Sequence, residues 1–488
     1  MPKHARHLPF PTLAIDRTAS RPLHRQIYFA IREAILEGGL KSGARLPATR
    51  ALAADLGVSR NTVMAAFEQL HAEGYIDGRV GAGSFIPRHL PDEAPPGRRP
   101  PGSAGRAAPP RRISARGLML MGLRHRGASP RPFSPGLPEL EQFPFRDWAR
   151  LLARRWRRPH RAFLVGGEPG GYRPLCEAIA DYLAMARAVF CRPDQVIVTS
   201  GAQQALDLAA RVLIDPGDPV WMEEPGYPPT SAVLRAAGAL VVPVPVDDEG
   251  LSVVAGRALE PAPRLICVSP SHQYPLGVTM TLGRRLELLE CARALDGMVI
   301  EDDYDSEYRY AGRPLAALQG LDGDGRVIYL GTMSKVMFPG LRLGYMVVPE
   351  HLVDAFLAVR AMVDAHPSSI AQAALADFIT EGFLGAHIRR MRQLYGERQA
   401  ALIEAFQARF GERLALAPAA AGMHLVARLP PGADDRAIAR RAAEAGVETP
   451  ALSYYYQGPP AARGLLLGYA GVDRRATLRA ADRLAQVL

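Results

Sequence analysis

A segment rich in proline, glycine and arginine divides the chain and limits how it can fold. Residues 88–112 read RHLPDEAPPGRRPPGSAGRAAPPRR and contain almost no side chain able to build a core. The 488 residues are enough for two or three domains. We therefore expect a folded domain over 1–87, a linker over 88–128 and a larger domain over 129–488. A solvated spacer is favoured over a linker whose arginines contact a polyanion.

The residues before this segment predict three helices followed by a hairpin. Residues 22–36 place apolar side chains along one helical face, and Thr49 and Ser59 stand where they would cap two further helices. The last of these helices turns Val63 and Phe67 inward. After it, YIDGRVGAGSFI alternates apolar and polar residues around a glycine-rich turn, which is typical of a small β-hairpin. This order predicts a winged helix-turn-helix.

After the linker, short apolar segments alternate with amphipathic helices. The strand-like segments include QVIVTSG, PVWMEEPGY, RLICVSPSH, MVIEDDYD and RVIYLGTMSK. Their alternation with helices predicts an α/β fold over about 160–355, with a mostly parallel central sheet covered on both faces. From about 356 to 488 the pattern is rich in helix with two short strands. This part predicts a small C-terminal α+β subdomain.

The start of the third helix carries hydrogen-bond donors suited to double-stranded DNA. A recognition helix enters the major groove with its N-terminal residues against base edges, while basic side chains and N–H groups bind phosphates. Arg60 could pair bidentately with guanine. A net charge of +10 agrees with a polyanionic partner, although proteins with solvated basic faces share it. The predicted DNA-contacting residues are Arg50, Ser59, Arg60, Asn61, Thr62, Arg79 and Gly83.

The segment GTMSKVMFPGLRLGY holds a lysine between anion-binding residues. The Lys335 amine could form a Schiff base with an aldehyde cofactor, for which pyridoxal phosphate (PLP) is the natural candidate. Arg342 would bind its phosphate, and Asp302 would keep its pyridine nitrogen protonated. Tyr304 would face the ring oxygen and Tyr227 would stack on the ring. The remaining predicted phosphate-binding residues are Gly201, Ala202, Gln203, Thr332 and Ser334.

Each of these features has an ordinary alternative. A lone lysine is usually a surface residue, and EDDYDSEY is more often a solvated acidic turn. This acidic run lacks the glycine and glutamate of a calcium loop, and the four cysteines form no CxxC pair, so we expect no metal site. No apolar run is long enough to span a membrane, and no apolar stretch follows the charged N-terminus. These observations predict a cytoplasmic protein.

The order of the motifs carries a resemblance to known families. Residues 21–86 resemble the N-terminal domain of GntR-type bacterial transcription regulators. GGEPGGY, TSGAQQALDLAARVL, EEPGYPP, EDDYDSEYRY and GTMSKVMFPGLRLGY follow one another as in fold-type I aminotransferases, so the chain resembles the MocR/GabR group of these regulators. The resemblance implies a PLP-dependent transferase fold type I, Lys335 as the Schiff-base lysine and a head-to-tail homodimer. It also implies a regulator whose small-molecule effector is PLP and/or an amine or amino acid.

Two positions depart from the aminotransferase pattern. Tyr274 in QYPLG replaces the asparagine of an N-P-x-G turn, and Leu466 in GLLLGYA stands where aminotransferases place an arginine that clamps the substrate carboxylate. Arg463 is close in sequence but out of register. These changes favour a sensor over the alternative, a PLP-dependent aminotransferase with an appended DNA-binding domain. A degenerate fold without cofactor is disfavoured because its lysine, aspartate and arginine are intact.

Overall fold

The computed structural model describes residues 13, 15–79, 83–90, 113–121, 131–159, 161–312, 316–414 and 416–488. The chain divides into two compact units, residues 1–112 and residues 113–488. The predicted linker falls largely outside the described residues, apart from residues 88–90 and a short helix at Ala115–Met121. No helix in these described ranges is long and apolar enough to cross a membrane.

The smaller unit contains the three helices and the hairpin that the sequence predicts. Apolar side chains of all three helices and the hairpin, among them Ile31, Leu52, Val63 and Ile86, share one buried cluster. The hairpin strands are antiparallel, with Gly78 opposite Ser84. The elements are α1 (Leu23–Leu36), α2 (Thr49–Asp55), α3 (Arg60–Ala72), β1 (Asp77–Arg79) and β2 (Gly83–Phe85). The winged helix-turn-helix prediction is confirmed.

One of the two predicted helix caps is present and the other is not. The Ser59 hydroxyl accepts a hydrogen bond from the Thr62 backbone N–H at 3.1 Å, so Ser59 caps α3. The prediction for Thr49 is wrong, because α2 begins at this residue and the preceding Ala48 occupies the cap position without a side-chain hydrogen bond. Ala48 is extended, with φ −60° and ψ 142°, and takes the cap position, so the helix begins one residue earlier than the cap signal suggests.

An eight-stranded sheet forms the centre of the larger unit. The strands are β3 (Val196–Thr199), β4 (Pro219–Glu224), β5 (Leu240–Asp247), β6 (Gly250–Leu251), β7 (Leu265–Val268), β8 (Met298–Asp303), β9 (Val327–Thr332) and β10 (Gly344–Val347). Their order in the sheet is β3-β10-β9-β8-β7-β4-β5-β6. The neighbouring pairs from β9 to β5 are parallel, whereas β10 runs antiparallel to β3 and β9, and β6 runs antiparallel to β5.

Helices cover both faces of this sheet. Ile300 and Ile328 pack into one apolar cluster, whereas Val299 and Val327, one residue earlier on the same strands, pack into another. The helices up to β10 are α4 (Ala115–Met121), α5 (Phe145–Arg157), α6 (Ala162–Val165), α7 (Arg173–Arg187), α8 (Ala202–Leu213), α9 (Pro228–Ala237), α10 (Val253–Leu259), α11 (Leu282–Ala294) and α12 (Met333–Val336). The predicted mostly parallel, doubly covered sheet is confirmed.

A helix-rich part follows the large sheet. It carries a two-stranded antiparallel sheet of β11 (His424–Arg428) and β12 (Gly464–Gly468), in which Val426 lies opposite Leu466. Its helices are α13 (Val353–Val363), α14 (Ser369–Thr380), α15 (Phe383–Phe410), α16 (Asp435–Glu444) and α17 (Arg474–Ala485). This composition matches the predicted small α+β part.

Candidate cofactor site and DNA-reading surface

One edge of the large sheet gathers the residues that the sequence singles out. The parallel strands β8 and β9 both end there, with Asp302 opposite Leu330 two residues before Thr332. Gly344 at the start of antiparallel β10 lies opposite both Thr332 and Thr199. The turns that follow β3 and β9 therefore meet at this edge, where ligands of α/β folds commonly bind.

Lys335 lies in the short helix α12 just beyond this edge. The Thr332 hydroxyl caps that helix by accepting from the Ser334 backbone N–H at 3.2 Å. The Lys335 amine donates to the Gly136 carbonyl at 2.8 Å, and Gly136 has a positive φ of 68°. Burial lowers the pKa of Lys335, while the carboxyls of Asp305 and Asp302 oppose this effect. A lowered pKa keeps more of the amine neutral and nucleophilic.

The Asp302 carboxyl is buried and therefore harder to ionise than an exposed one. Burial raises its pKa to about 7, the neighbouring Asp303 carboxylate adds to the increase, and Lys335 partly opposes it. A protonated pyridine nitrogen would supply a fixed positive charge and so stabilise the ionised carboxylate. The environment of Asp302 therefore fits the proposed contact to a pyridine ring.

A glycine turn and an arginine form an anion cradle at the same edge. Gly201 caps the N-terminus of α8 with φ near 119°, and a Cβ added to it would lie 3.8 Å from the Arg342 guanidinium. The free N–H groups of a helix N-terminus attract anions, and Ala202 and Gln203 form the first turn. The Gln203 side chain is directed elsewhere, because its amide donates to the Pro229 carbonyl at 3.3 Å.

Tyrosines occupy the remaining predicted positions. Tyr304 follows β8, and its hydroxyl lies 2.9 Å from His272 Nδ1. Tyr227 caps α9 and is 41% exposed, and its ring meets the ring of Tyr274 edge-on with centroids 5.6 Å apart. Tyr274 also meets Tyr304 edge-on at 5.9 Å. Tyr274 thus contacts both tyrosines that the sequence assigns to the cofactor.

Several residues at this site were not anticipated. Gly136 accepts from the lysine, and His272 contacts both Tyr304 and, at 3.1 Å, Asp305. Glu223 on β4 is buried, accepts from the Ser269 N–H, and has its pKa raised by burial to about 8. The histidine of SPSHQYPLG, directly before the Tyr274 turn, was the available sequence signal. No local sequence motif around Gly136 or Glu223 indicates a role at a functional site.

One grouping of possible metal ligands occurs in the described part of the chain, although the sequence predicts no metal site. His272, Asp305 and His424 are buried, and each offers a ligand atom within 4.8 Å of the others. The Nδ1 of His272 is already shared by Tyr304 and Asp305, and His424 Nε2 lies 2.9 Å from the Pro275 carbonyl. His272 therefore links the Asp305 carboxylate to the Tyr304 hydroxyl.

Taken together, the donors at this edge fit PLP. A lysine with a lowered pKa, a buried acid with a raised pKa and a glycine–arginine cradle match an aldehyde, a pyridine nitrogen and a phosphate. Lys335, Asp302 and Arg342 could hold these three groups, since they lie on adjacent elements of one sheet edge.

The smaller unit exposes the predicted DNA-reading residues at one helix end. Ser59, Arg60 and Asn61 are exposed at the start of α3, Thr62 is half-buried, and Arg50 is exposed in α2. In the wing, Gly83 is exposed with φ near 101°, whereas the Arg79 side chain lies outside the described residues. Arg45, which no sequence motif singles out, is also exposed, and a Cβ added to Gly83 would lie 3.2 Å from its Nε.

Comparison with known families divides the chain in the same way. Residues 23–86 match the family described as bacterial regulatory proteins, gntR family. Residues 136–484 match aminotransferase class I and II. The fold and the site therefore define a winged helix-turn-helix regulator that carries an aminotransferase-like, PLP-binding domain.

Individual relatives join both parts in one chain. The chain is 46% identical over 469 residues to the probable rhizopine catabolism regulatory protein MocR of Rhizobium meliloti, covering 94% of this chain and 92% of that protein. It is 31% identical to the pyridoxine biosynthesis transcriptional regulator PdxR of Corynebacterium glutamicum, covering 94% and 95%. The chain belongs to the MocR group of GntR-type transcription regulators.

Solved structures of aminotransferases resemble the larger unit. The α-aminoadipate aminotransferase LysN of Thermus thermophilus, complexed with N-(5'-phosphopyridoxyl)-L-leucine, is 30% identical with a TM-score of 0.68. The match covers 73% of this chain and 91% of that enzyme. A phosphopyridoxyl compound is thus bound by a protein with this fold, which agrees with PLP as the cofactor.

Proposed function

We propose that the larger unit carries PLP on Lys335 and that the state of this site alters how the smaller unit binds DNA. The observation that carries the proposal is the meeting of a low-pKa lysine, a high-pKa acid and an anion cradle at one sheet edge. When bound, PLP supplies an aldehyde that bonds to amines and a ring that withdraws electrons.

In this proposal the chain orients the ring through three side chains. Asp302 holds a proton at the ring nitrogen, because its buried carboxylate is stabilised by a cation. Tyr304 faces the ring oxygen, and its contact with His272 at 2.9 Å fixes the direction of its hydroxyl. Tyr227 stacks on the ring from its position at the start of α9.

The phosphate would be held where a helix N-terminus and a guanidinium converge. Arg342 offers planar donors for a bidentate contact, and the α8 N-terminus adds N–H groups and a favourable dipole. The proposed phosphate-binding residues are Gly201, Ala202, Gln203, Thr332, Ser334 and Arg342.

The DNA contacts proposed for the smaller unit follow from the exposed start of α3. Ser59, Arg60, Asn61 and Thr62 would reach base edges and nearby phosphates, and Arg50 would hold a phosphate from α2. In the wing, Arg79 and Gly83 would approach the sugar-phosphate backbone. We propose a cytoplasmic head-to-tail homodimer whose two recognition helices read paired half-sites.

The proposed effector is PLP or an amine or amino acid bonded to it. A ligand changes DNA affinity only if it binds two arrangements of the protein with different affinities. The state of the lysine site must therefore bias one arrangement over the other.

The lysine content of the chain allows a direct test. The sequence has only three lysines, Lys3, Lys41 and Lys335. Borohydride reduction of the PLP-loaded protein, followed by digestion and mass spectrometry, should find the phosphopyridoxyl group on the peptide that contains Lys335. The Lys41→Ala variant serves as the matched control and should be labelled like the parent. Label on Lys3 or Lys41 in place of Lys335 would refute the assignment.

Transamination is a second candidate function. It is favoured by the lowered pKa of Lys335, since a neutral lysine amine can also move a proton. Its test is complete conversion of an amino donor to a keto acid over many cycles by the purified protein. At most about one equivalent of product for each protein chain would favour the sensor.

A further inference from the structure

The wall of the cofactor site nearest the C-terminal part is built from aromatic rings. Tyr274 lies at its centre, with ring centroids 5.6 Å from Tyr227, 5.9 Å from Tyr304 and 5.2 Å from His424. The hydroxyls of Tyr274 and Tyr455 are 3.0 Å apart. The carbon skeleton of a ligand bonded to PLP near Lys335 would contact this wall.

Leu466 joins this packed group from the two-stranded sheet. It is fully buried on β12 opposite Val426 and shares an apolar cluster with Tyr455. Tyr274 packs against the same cluster, so the two departures from the aminotransferase pattern lie in one packed group. The members in the described ranges are Leu452, Tyr455 and Leu466, with Tyr274, Leu276, Val426, Tyr456 and Ala462 packed against them. None of these side chains is charged at neutral pH.

Two arginines on neighbouring elements are directed to other partners. Arg436 donates to the Ser453 hydroxyl at 3.1 Å and to its carbonyl at 2.9 Å. Arg463 lies 3.4 Å from Asp435. Burial, together with nearby His272, lowers the pKa of His424 to about 3, so this imidazole is neutral at neutral pH. A carboxylate placed against these uncharged side chains would lose its water without gaining a cation from Arg436 or Arg463, which disfavours it.

We propose that the ligand recognised at this site is a primary amine without an α-carboxylate. Its amine would form a C=N bond to the PLP aldehyde carbon while the C=N bond to Lys335 breaks and releases Lys335 as a free amine. Its carbon body would pack against Tyr274, Tyr455 and Leu466. The inference rests on the proposed function, in which Lys335 carries PLP. It goes further by naming the chemical class of the ligand and the residues that select it.

Arg428 is the rival for a carboxylate. It follows Val426 by two residues on β11 and therefore lies on the same face of that strand. It lines a cavity of about 360 Å³ with His272 and His424 and is an exposed residue. A longer ligand could bring a carboxylate to this arginine, so the Arg428→Leu variant distinguishes the two possibilities.

Matched ligand pairs test the proposal on the full-length, PLP-loaded protein. The pairs are phenethylamine with phenylalanine, isobutylamine with valine, and ethanolamine with serine, and each differs only by the carboxylate. Binding is measured as the change in the visible absorption band of the cofactor on titration. Gel-shift affinity for the DNA upstream of the gene is measured in parallel. We expect at least one amine to bind about tenfold or more tightly than its amino acid, and Arg428→Leu to leave this preference unchanged.

Two variants test the residues of the wall. Leu466→Arg alone buries a guanidinium in an apolar cluster and could misfold. The Leu466→Arg, Tyr274→Asn double variant therefore adds space and a polar partner, and Leu466→Met is a folded, uncharged control. The double variant should reverse the preference toward the amino acid, whereas Leu466→Met should keep that of the parent.

Each outcome bears on the proposal. Amino acids that bind the parent as tightly as their amines, or a carboxylate preference lost in Arg428→Leu, would overturn it while leaving PLP binding intact. Failure of every amine and amino acid to change the band would also overturn it, with PLP alone left as the signal. Absence of the cofactor band in the parent would overturn both this inference and the proposed function.

Discussion

Replacing Asp302 by asparagine should stabilise the cofactor-free protein and weaken cofactor binding. The pKa of this carboxyl is raised from 3.8 to about 7 in the folded chain, mainly by burial. An acid whose pKa is higher in the folded than in the unfolded chain destabilises the fold when it ionises. This cost begins as the pH rises above the unfolded-state pKa and is complete above the folded-state pKa. At about 1.36 kcal/mol for each pKa unit, ionisation costs the folded state about 4 kcal/mol at pH 8.

The pH dependence of this gain distinguishes a buried charge from a general packing effect. At pH 5 only the interval from 3.8 to 5 contributes, so the cost of Asp302 falls to about 2 kcal/mol. Asparagine has nearly the same shape and no charge. Asp302→Asn should therefore raise the free energy of unfolding more at pH 8 than at pH 5.

Tryptophan fluorescence during urea denaturation provides the assay. Trp148, Trp156 and Trp221 are the three tryptophans of the chain, and all lie in the larger unit, so the signal reports on this unit alone. An Asp302→Asn variant that is no more stable than the parent at pH 8, or equally stabilised at both pH values, would refute the reasoning. The same variant should bind PLP more weakly, because the ring nitrogen loses its anionic partner.

The adjacent aspartate is a matched control of opposite sign. Asp303 is buried against Arg187 at 2.8 Å and accepts from the Tyr329 hydroxyl at 2.5 Å. Asp303→Asn leaves a buried guanidinium without its anion and should destabilise the larger unit by about 3–5 kcal/mol. Stabilisation by both substitutions would show that the environments of these two carboxyls do not differ as described.

The remaining predictions concern the lysine, its hydrogen-bond partner and the recognition helix. Lys335→Ala should abolish the visible absorption band of the cofactor and blunt the ligand response while far-UV circular dichroism stays unchanged. Gly136→Ala should lower PLP affinity in a spectral titration, because its Cβ would lie 2.6 Å from the Lys335 amine and its φ of 68° disfavours a side chain. Arg60→Ala should cost about 1–3 kcal/mol of discrimination between operator and unrelated DNA in gel shifts, and equal loss on both would make Arg60 a phosphate contact.

Local patterns in the sequence were enough to predict the strands and most of the helices at the site. Asp302 and Thr332 lie near the carboxyl ends of two apolar segments that the sequence predicts as parallel strands. Because such strand ends meet at one edge of a sheet, the two residues were expected to lie close together. Ser59 was recognisable as a cap because its hydroxyl acts within three residues. The position of Thr49 shows the limit of the same signal, which does not resolve a helix start to one residue.

Contacts between distant segments could not be predicted from these patterns. Gly136 and Lys335 are 199 residues apart, and neither neighbourhood indicates that a carbonyl meets the amine. The sequence identified Tyr274 and Leu466 as separate departures from an aminotransferase pattern. Only the pairing of β11 with β12 and the packing around Tyr455 bring them into one apolar wall. Side-chain packing of this kind depends on the assembled fold.

We propose that PLP on Lys335 changes how this regulator binds DNA. The most direct test is a gel shift of the full-length protein on the DNA upstream of its own gene, with PLP removed and then restored. Lys335→Ala serves as the control that cannot bond the cofactor. We expect PLP, alone or with a bound amine, to change the DNA affinity or footprint of the parent and not of the variant. Identical binding in every state, with and without amines, would contradict it.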